Sequence, residues 1–482
     1  MTCANAVDLE RSAPRRGAAA TTRDARGVPV SCSNPAALAL YEKALRQYQS
    51  YVGDPIVTIE EALKETPDFV LGHVFRATVL MTFAERRFAE QARVSVASVE
   101  ALLPRANARE QALIAAARRL VDGDWGGACA ALDRVLVDYP RDAFAIQSAH
   151  LMDFFRGDSL NLRNRISRAL PHWSPSVPGY SYVLGMHAFG LEECNQYPEA
   201  EQTGRQALAL EPKDGWAVHA VTHVMEMQGR IDEGIVWLES READWAPDNG
   251  FAVHNYWHLA LYYLDRQRYA DALALHDARV HPEPPDSALQ LLDATALLWR
   301  LHLEGVDLGR RADAVADNWA GRLETERGYY AFNDMHAMMA FAMAGREREA
   351  ARLTADLEWT AQHGSGINRM MAADVGLPVC RAIRAFGRGR YEEAIVDLEP
   401  ARDVASRFGG SHAQRDALTL TLIEAAIRSG RSALARHYIA ERTVHKPASG
   451  WGWRLLARTA ARPGETPAAP APPGGNGGGE AP

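Results

Sequence analysis

Apolar residues recur along most of the chain at positions i, i+3, i+4 and i+7, which is the spacing of amphipathic helices. Short breaks containing glycine or proline separate these segments roughly every 15–20 residues. The alternation of apolar and polar residues that marks half-buried strands is almost absent. The pattern therefore predicts an all-α protein built from paired helices.

Several segments follow one template, in which a helix with small core residues is followed by a polar or glycine-containing turn. An aromatic residue and then alanine or glycine open the second helix, as with Tyr197 and Ala200 or Tyr269 and Ala272. This resembles the tetratricopeptide repeat, whose small residues let two helices approach closely. Tandem copies predict a right-handed superhelical solenoid of tetratricopeptide-like helix–turn–helix repeats over residues 34–460. The matching segments are 190–212, 224–240, 261–280, 340–358 and 385–400, with a looser match at 121–140.

Both ends of the chain differ from this pattern. Residues 1–33 are polar, rich in alanine and arginine and without periodicity, so we expect them to be disordered. Residues 461–482 include "PGETPAAPAPPGGNGGGEAP", a Pro/Gly-rich sequence with too little apolar surface to order itself. We therefore expect a single repeat domain flanked by two disordered segments.

Composition narrows the class of protein further. The 482 residues are 47% hydrophobic and carry a formal net charge of −8, without a basic stripe that would suit a nucleic acid. The five cysteines are scattered, and no C-x-x-C pair is present. Neither an apolar leader sequence nor a run of eighteen apolar residues occurs. We expect a cytoplasmic protein with neither a nucleic-acid nor a membrane partner.

Five segments carry a more specific resemblance than the repeat template does. They read "HAVTHVMEMQGR", "HNYWHLALYYLD", "LLWRLHLEG", "NDMHAMMAFAMAGR" and "GGSHAQRDALTLTLIEAAIRSGR", in this order along the chain. Together they resemble the tetratricopeptide repeat protein 38 family. This resemblance implies the helical-repeat fold over most of the chain and implies no particular biochemical activity.

Two of these segments contain His-x-x-x-His, at His219 and His223 and again at His254 and His258. Histidines at i and i+4 lie on one face of a helix, and Glu226 at i+7 continues the first stripe. Since successive repeats stack side by side, the two pairs can come within reach of each other, although their registers differ by one position. Neither pair is H-E-x-x-H, so a metalloprotease is rejected.

Three interpretations of these histidines remain open. They can be structural groups that bond to neighbouring repeats, polar groups of a groove for an organic ligand or peptide, or ligands of a divalent metal such as zinc or iron. The same helical counting places further aromatic and polar residues on the concave face. The predicted ligand groove comprises His219, His223, Glu226, His254, His258, Tyr262, Tyr182, Glu192, Trp299 and His336.

The predicted function is a binding module that holds a small organic ligand or a partner peptide in this His- and aromatic-lined concave groove. Repeat arrays commonly serve as binding surfaces, because stacking leaves a long curved face. The alternative is a metal-dependent or acid–base enzyme built on the four histidines, since imidazole titrates near neutrality. No nucleophile motif or phosphate loop supports another chemistry.

Overall fold

A computed structural model of the chain describes residues 22–460, and these residues form an all-α helical-repeat solenoid with one short hairpin. The hairpin pairs β1 (Thr22–Arg23) with β2 (Pro29–Val30) in antiparallel register. The predicted tail at 461–482 and the first part of the predicted disordered segment, 1–21, lie outside the described residues.

The helices follow one another with short connections. They are α1 (Pro35–Ser50), α2 (Pro55–Glu65), α3 (Val70–Met81), α4 (Arg86–Glu100), α5 (Ala108–Val121), α6 (Trp125–Asp138), α7 (Ala143–Phe155), α8 (Ser159–Ala169), α9 (Tyr180–Glu192), α10 (Tyr197–Leu210), α11 (Gly215–Gln228), α12 (Ile231–Ser240), α13 (Glu242–Trp245), α14 (Ala252–Asp265), α15 (Tyr269–Leu275), α16 (Ala288–Leu303), α17 (Arg311–Glu326), α18 (Ala331–Met343), α19 (Glu347–His363), α20 (Gly366–Met371), α21 (Leu377–Gly387), α22 (Tyr391–Asp403), α23 (His412–Arg428), α24 (Ser432–His445) and α25 (Gly450–Ala460). Single turns of 3₁₀ helix occupy Leu103–Arg105, Leu170–His172 and Ala405–Phe408, and π turns extend α15 and α20 at His276–Val280 and Ala372–Gly376.

Consecutive helices pack as pairs, for example α9 on α10, α11 on α12 and α14 on α15. The first helices of neighbouring pairs also touch, so α9 packs on α11, α11 on α14 and α14 on α16. The small residues of the template explain how closely the helices approach. A Cβ atom at Gly234 of α12 would come within 2.4 Å of Cζ of Tyr262 on α14, so only glycine leaves room for that ring.

The first helices of the pairs are buried on nearly every side. If these helices lined an open concave surface, one side of each would be exposed to solvent. In α11, every residue from Gly215 to Met227 is buried, and α7, α14, α16 and α18 are similar. Distant repeats close over them: Oη of Tyr330 donates to the carbonyl of Phe155 at 2.9 Å, and α16 packs on α23. The array curls until its inner helices become the core, so the open groove predicted from the sequence is largely filled.

The beginning of the ordered domain differs from the prediction, because residues 22–33 are folded and not disordered. The buried guanidinium of Arg26 pairs with the buried carboxylate of Asp24 and with Glu42 of α1. Arg109 of α5 donates to the carbonyl of Pro29 at 3.0 Å. The polar composition of this segment predicted disorder, but its residues are held in place by partners on α1 and α5. Composition alone does not reveal those partners.

Within residues 22–460, no helix combines the length and the apolar character that crossing a bilayer requires.

Candidate metal centre

The four predicted histidines lie on two neighbouring helices, α11 and α14. Asp214 caps the start of α11 by accepting hydrogen bonds from the backbone N–H groups of Trp216 and Ala217 at 3.1 Å. Gly229 ends the helix with φ of 71°, a left-handed conformation that glycine adopts without strain. These two ends set the length of α11, which packs on α14.

The imidazoles of His219, His223, His258 and His254 form a closed four-membered arrangement. Successive ring centroids are separated by 4.3 Å, 4.5 Å, 4.9 Å and 4.9 Å around this arrangement, and His219 and His258 lie 5.1 Å apart across it. One nitrogen from each ring lies within 4.8 Å of the chosen nitrogens of the other three. A bound zinc ion with Zn–N bonds of about 2.0–2.1 Å holds its nitrogens roughly 3.3 Å apart, which is within reach of small side-chain rotations. We call this group the four-histidine cluster.

Carboxylates stand behind three of the four rings. Nδ1 of His258 lies 2.9 Å from Oε2 of Glu226, and Nδ1 of His254 lies 2.9 Å from both oxygens of Asp293 on α16. Nδ1 of His223 lies 3.3 Å from Oε2 of Glu192 without forming a hydrogen bond, and burial raises the pKa of that carboxyl well above its usual value. A carboxylate that accepts from Nδ1 leaves Nε2 as the free electron-pair donor, which is the arrangement of histidines that ligate metals.

Several ring nitrogens of the cluster are buried without a partner among the described residues. They are both nitrogens of His219, both nitrogens of His223 and Nε2 of His258. A buried polar group without a hydrogen bond costs about 1–3 kcal/mol, so five such atoms in one place would weigh heavily on stability. A shared cation would take one nitrogen from each ring, so it would give a partner to three of these five atoms.

The electrostatics keep the rings in the form that binds metal. Burial lowers the pKa of His223 to about 4 and that of His258 to about 3, and burial with the neighbouring imidazoles lowers the pKa of His219 well below its usual range. Burial would raise the pKa of Glu226, but the ammonium of Lys446 and the bond from His258 hold it well below its usual range. At neutral pH the imidazoles of His219, His223 and His258 are therefore uncharged, and the carboxylate of Glu226 is ionised.

Lys446 follows α24 and reaches the cluster from the other end of the array. Its Nζ lies 2.7 Å from Oε1 of Glu226 and 3.4 Å from Oδ2 of Asp416 on α23. Arg442 adds a bond to the same Asp416 at 2.8 Å. The carboxylate behind His258 is thus fixed by a buried ion-pair network that the C-terminal repeats supply.

The other residues of the predicted groove are divided between the cluster and separate packing sites. Glu226 and Glu192 lie behind the rings, as described above. Tyr262 is buried and donates to the carbonyl of Thr222 at 2.7 Å, and Tyr182 on α9 is partly buried outside the cluster. Trp299 and His336 lie elsewhere in the core, where they bond to Thr421 and to the carbonyl of Phe332.

Two residues of the site are absent from the sequence-based prediction, namely Asp293 and Lys446. Asp293 is the single acidic residue of the mainly apolar helix α16, and this could have signalled a buried role. Lys446 is one of only four lysines in the chain, but no spacing relates it to the histidines. Its role depends on contact between segments 220 positions apart in the sequence.

A cavity of about 310 Å³ adjoins the cluster. His219, His254 and Asp293 belong to its wall, and His254, with 13% of its side chain exposed, is the least buried of the four histidines. Tyr51, Trp216 and Phe251 continue the wall as a set of touching rings. The cavity is at the lower end of the range of small-molecule sites, about 300–1,000 Å³, and is lined mainly by apolar and aromatic side chains, as such sites are.

No protein-family model matches the chain. Among solved structures, a human IFIT1 dimer with m7Gppp-AAAA is similar over 87% of this chain and 98% of that chain, with 15% identity and a TM-score of 0.41. Yeast Tom70 is similar over 86% of this chain and 90% of that chain, with 12% identity and a TM-score of 0.40. The TPR domain of P58(IPK) is similar over 82% and 98%, with 13% identity and a TM-score of 0.19. Likenesses this distant say nothing about ligand or partner.

Proposed function

We propose that this protein is a metalloprotein that binds one late first-row divalent transition metal at His219, His223, His254 and His258. The metal would act on, or help to hold, a small organic molecule in the adjoining cavity. This proposal unites the small-ligand groove predicted from the sequence with its alternative, a metal-dependent enzyme. Imidazole donors suit zinc, copper, iron and nickel, whereas magnesium and calcium prefer oxygen donors.

The observation that carries the proposal is the set of unpartnered, buried ring nitrogens that face one another with carboxylates behind them. A purely structural cluster would leave these atoms unsatisfied, at about 1–3 kcal/mol each. A metal ion would take one nitrogen of each ring as a ligand, and Glu226 and Asp293 would then fix the tautomer and orientation of His258 and His254.

The cavity favours a small molecule as the second ligand. Its wall includes two of the proposed metal ligands, so a bound molecule would lie beside the metal. When bound, a divalent ion can polarise an oxygen or nitrogen of such a molecule as a Lewis acid. His219 and His254 would hold that ion at the cavity wall, and the aromatic residues would exclude water from it.

The fold leaves room for a further role in binding proteins. Helical-repeat arrays are general scaffolds for protein partners, and the outer faces of this array are exposed. Membership of the tetratricopeptide repeat protein 38 family remains a proposal that the five resembling segments support.

The test is the metal content of purified protein, measured by mass spectrometry after chelator treatment and reloading with zinc, copper, nickel or cobalt. Wild type is expected to bind one ion per chain, and H223A and H258A are expected to lose it. Uptake of Co²⁺ adds a visible spectrum that reports nitrogen coordination directly.

The matched control is H150A, because His150 is equally buried and also lacks hydrogen-bond partners but lies outside the cluster. It should keep a full complement of metal. Folding of each variant is checked by circular dichroism, and H258L serves if H258A does not fold, since leucine restores apolar volume. A folded wild type that takes up none of these metals, or full metal binding by the double variant H223A/H258A, would refute the proposal.

A further inference from the structure

The wall of the cavity beside the four-histidine cluster has almost no charge. Among its lining residues are neither lysine nor arginine, and the single carboxylate, Asp293, is already bonded to His254. Without a bound metal ion, an anionic ligand would find no counter-charge there, and a cationic ligand would compete with the imidazole for that carboxylate. Burying an unpaired charge is expensive, so the wall selects against charged molecules.

Flat rings dominate the side of the cavity nearest the histidines. Tyr51 stacks on Trp216 with centroids 5.8 Å apart and an interplanar angle of 24°. Phe251 lies 5.1 Å from Tyr51 and 5.0 Å from Trp216, and it also lies 5.2 Å from the ring of His254. Offset and edge-to-face contacts with such a set favour another aromatic ring over a flexible alkyl chain.

Five buried polar atoms of the lining residues lack partners within the described residues, namely Oε1 of Gln47, Oη of Tyr48, Nε1 of Trp216 and both ring nitrogens of His219. Nε1 of Trp216, which can only donate, and Oε1 of Gln47, which can only accept, are buried and make no hydrogen bond within the described residues. A ligand that offers one acceptor and one donor would satisfy both. Buried polar atoms in binding sites commonly fix the orientation of the ligand in this way.

We propose that the cavity binds a neutral, small aromatic molecule that carries a hydroxyl or amide group. This inference rests on the proposed function for the identity of the neighbouring metal, but the cavity wall itself does not depend on the ion. The ring lies among Tyr51, Trp216 and Phe251, and its polar group bonds to Nε1 of Trp216 or Oε1 of Gln47. One edge of the molecule then faces His219 and His254.

The experiment uses naphthol as the probe, with naphthoate and the saturated alcohol decalinol as matched analogues. Binding to the full-length chain is measured by calorimetry, in metal-loaded and in chelator-treated protein. Naphthol is expected to bind both forms, and in the chelator-treated protein naphthoate and decalinol should bind at least tenfold more weakly. W216F keeps a ring and removes the N–H donor, so it should weaken naphthol binding about tenfold, as expected for one lost hydrogen bond.

The outcomes separate this inference from the proposed function. If metal binds but naphthol does not, or if naphthoate binds the chelator-treated protein as well as naphthol does, the inference fails and the metal site stands. If naphthol binds with the expected preference and metal does not, the metal site fails and the ligand class stands. Y438F, at a position outside the cavity wall, controls for general effects of aromatic substitution and should leave naphthol affinity unchanged.

Discussion

The substitution H219L tests whether His219 is a metal ligand or a packing residue. The two roles predict opposite effects on the stability of the metal-free protein. In the metal-free protein, His219 buries two ring nitrogens without partners. Each such atom costs about 1–3 kcal/mol, and leucine, of similar volume, removes both costs. The substitution also loses the contacts of the imidazole with Phe189, Trp216 and Phe251, at 5.2 Å, 5.1 Å and 5.0 Å, worth about 0.5–1.5 kcal/mol each.

The balance of these terms favours the variant when metal is absent. We expect H219L to stabilise the chelator-treated protein by about 1 kcal/mol, because the removed polar cost exceeds the lost ring contacts. In the metal-loaded state, we expect wild type to be more stable than H219L. Wild type gains about 2.7 kcal/mol when free metal is one hundred times its dissociation constant, and the variant, with one ligand fewer, gains less.

The assay is urea unfolding of both proteins, followed by circular dichroism, with chelator and with saturating Zn²⁺. The control is H336L, because His336 is buried but its Nδ1 bonds to the carbonyl of Phe332 at 2.8 Å. H336L should lower stability in both conditions. If H219L also destabilises the metal-free protein, with no change in the metal-dependent gain, His219 is a packing residue and the reasoning is refuted.

Two further predictions concern the residues around the cluster. K446M removes the buried cation beside Glu226. It should lower metal affinity about 10–100-fold in chelator competition and reduce the free energy of unfolding by about 3–5 kcal/mol. Unchanged metal affinity would show that Lys446 does not position that carboxylate. His150 is buried, and burial, with Arg165 and His187 nearby, lowers its pKa to about 3. The unfolded chain therefore binds a proton below pH 6.5 that the folded chain refuses until about pH 3, so stability falls as pH falls through this window. Between pH 7 and pH 5, wild type should lose about 2 kcal/mol more than H150L in urea unfolding, and equal losses would contradict the assignment.

Much of the helical architecture was predictable because its causes are local. Helix periodicity, glycine-containing turns and small residues such as Gly234 act over one repeat, and they appear in the sequence at fixed spacing. The same reasoning placed His219, His223 and Glu226 on one stripe of α11. It also found the second pair on the next repeat, since neighbouring units must stack.

Local spacing did not reveal how far the array closes. The sequence predicted an open concave face, and Trp299 and His336 were assigned to it, but the inner helices pack against distant repeats instead. The folded segment 22–33 is held in the same way, by Arg109 and other residues far along the chain. Whether distant segments meet depends on the sum of the small rotations between successive repeats along the solenoid. The sequence of a single repeat does not encode that sum.

The site combines both kinds of information. Helix geometry alone brings two imidazoles of one helix together, because residues four positions apart share a face. The meeting of four imidazoles required the crossing of α11 and α14, and their carboxylates came from α9, α11 and α16. Lys446 entered from the C-terminal repeats, across 220 positions of sequence. Charge pairing and cavity shape are properties of three-dimensional distance, so only the folded chain decided them.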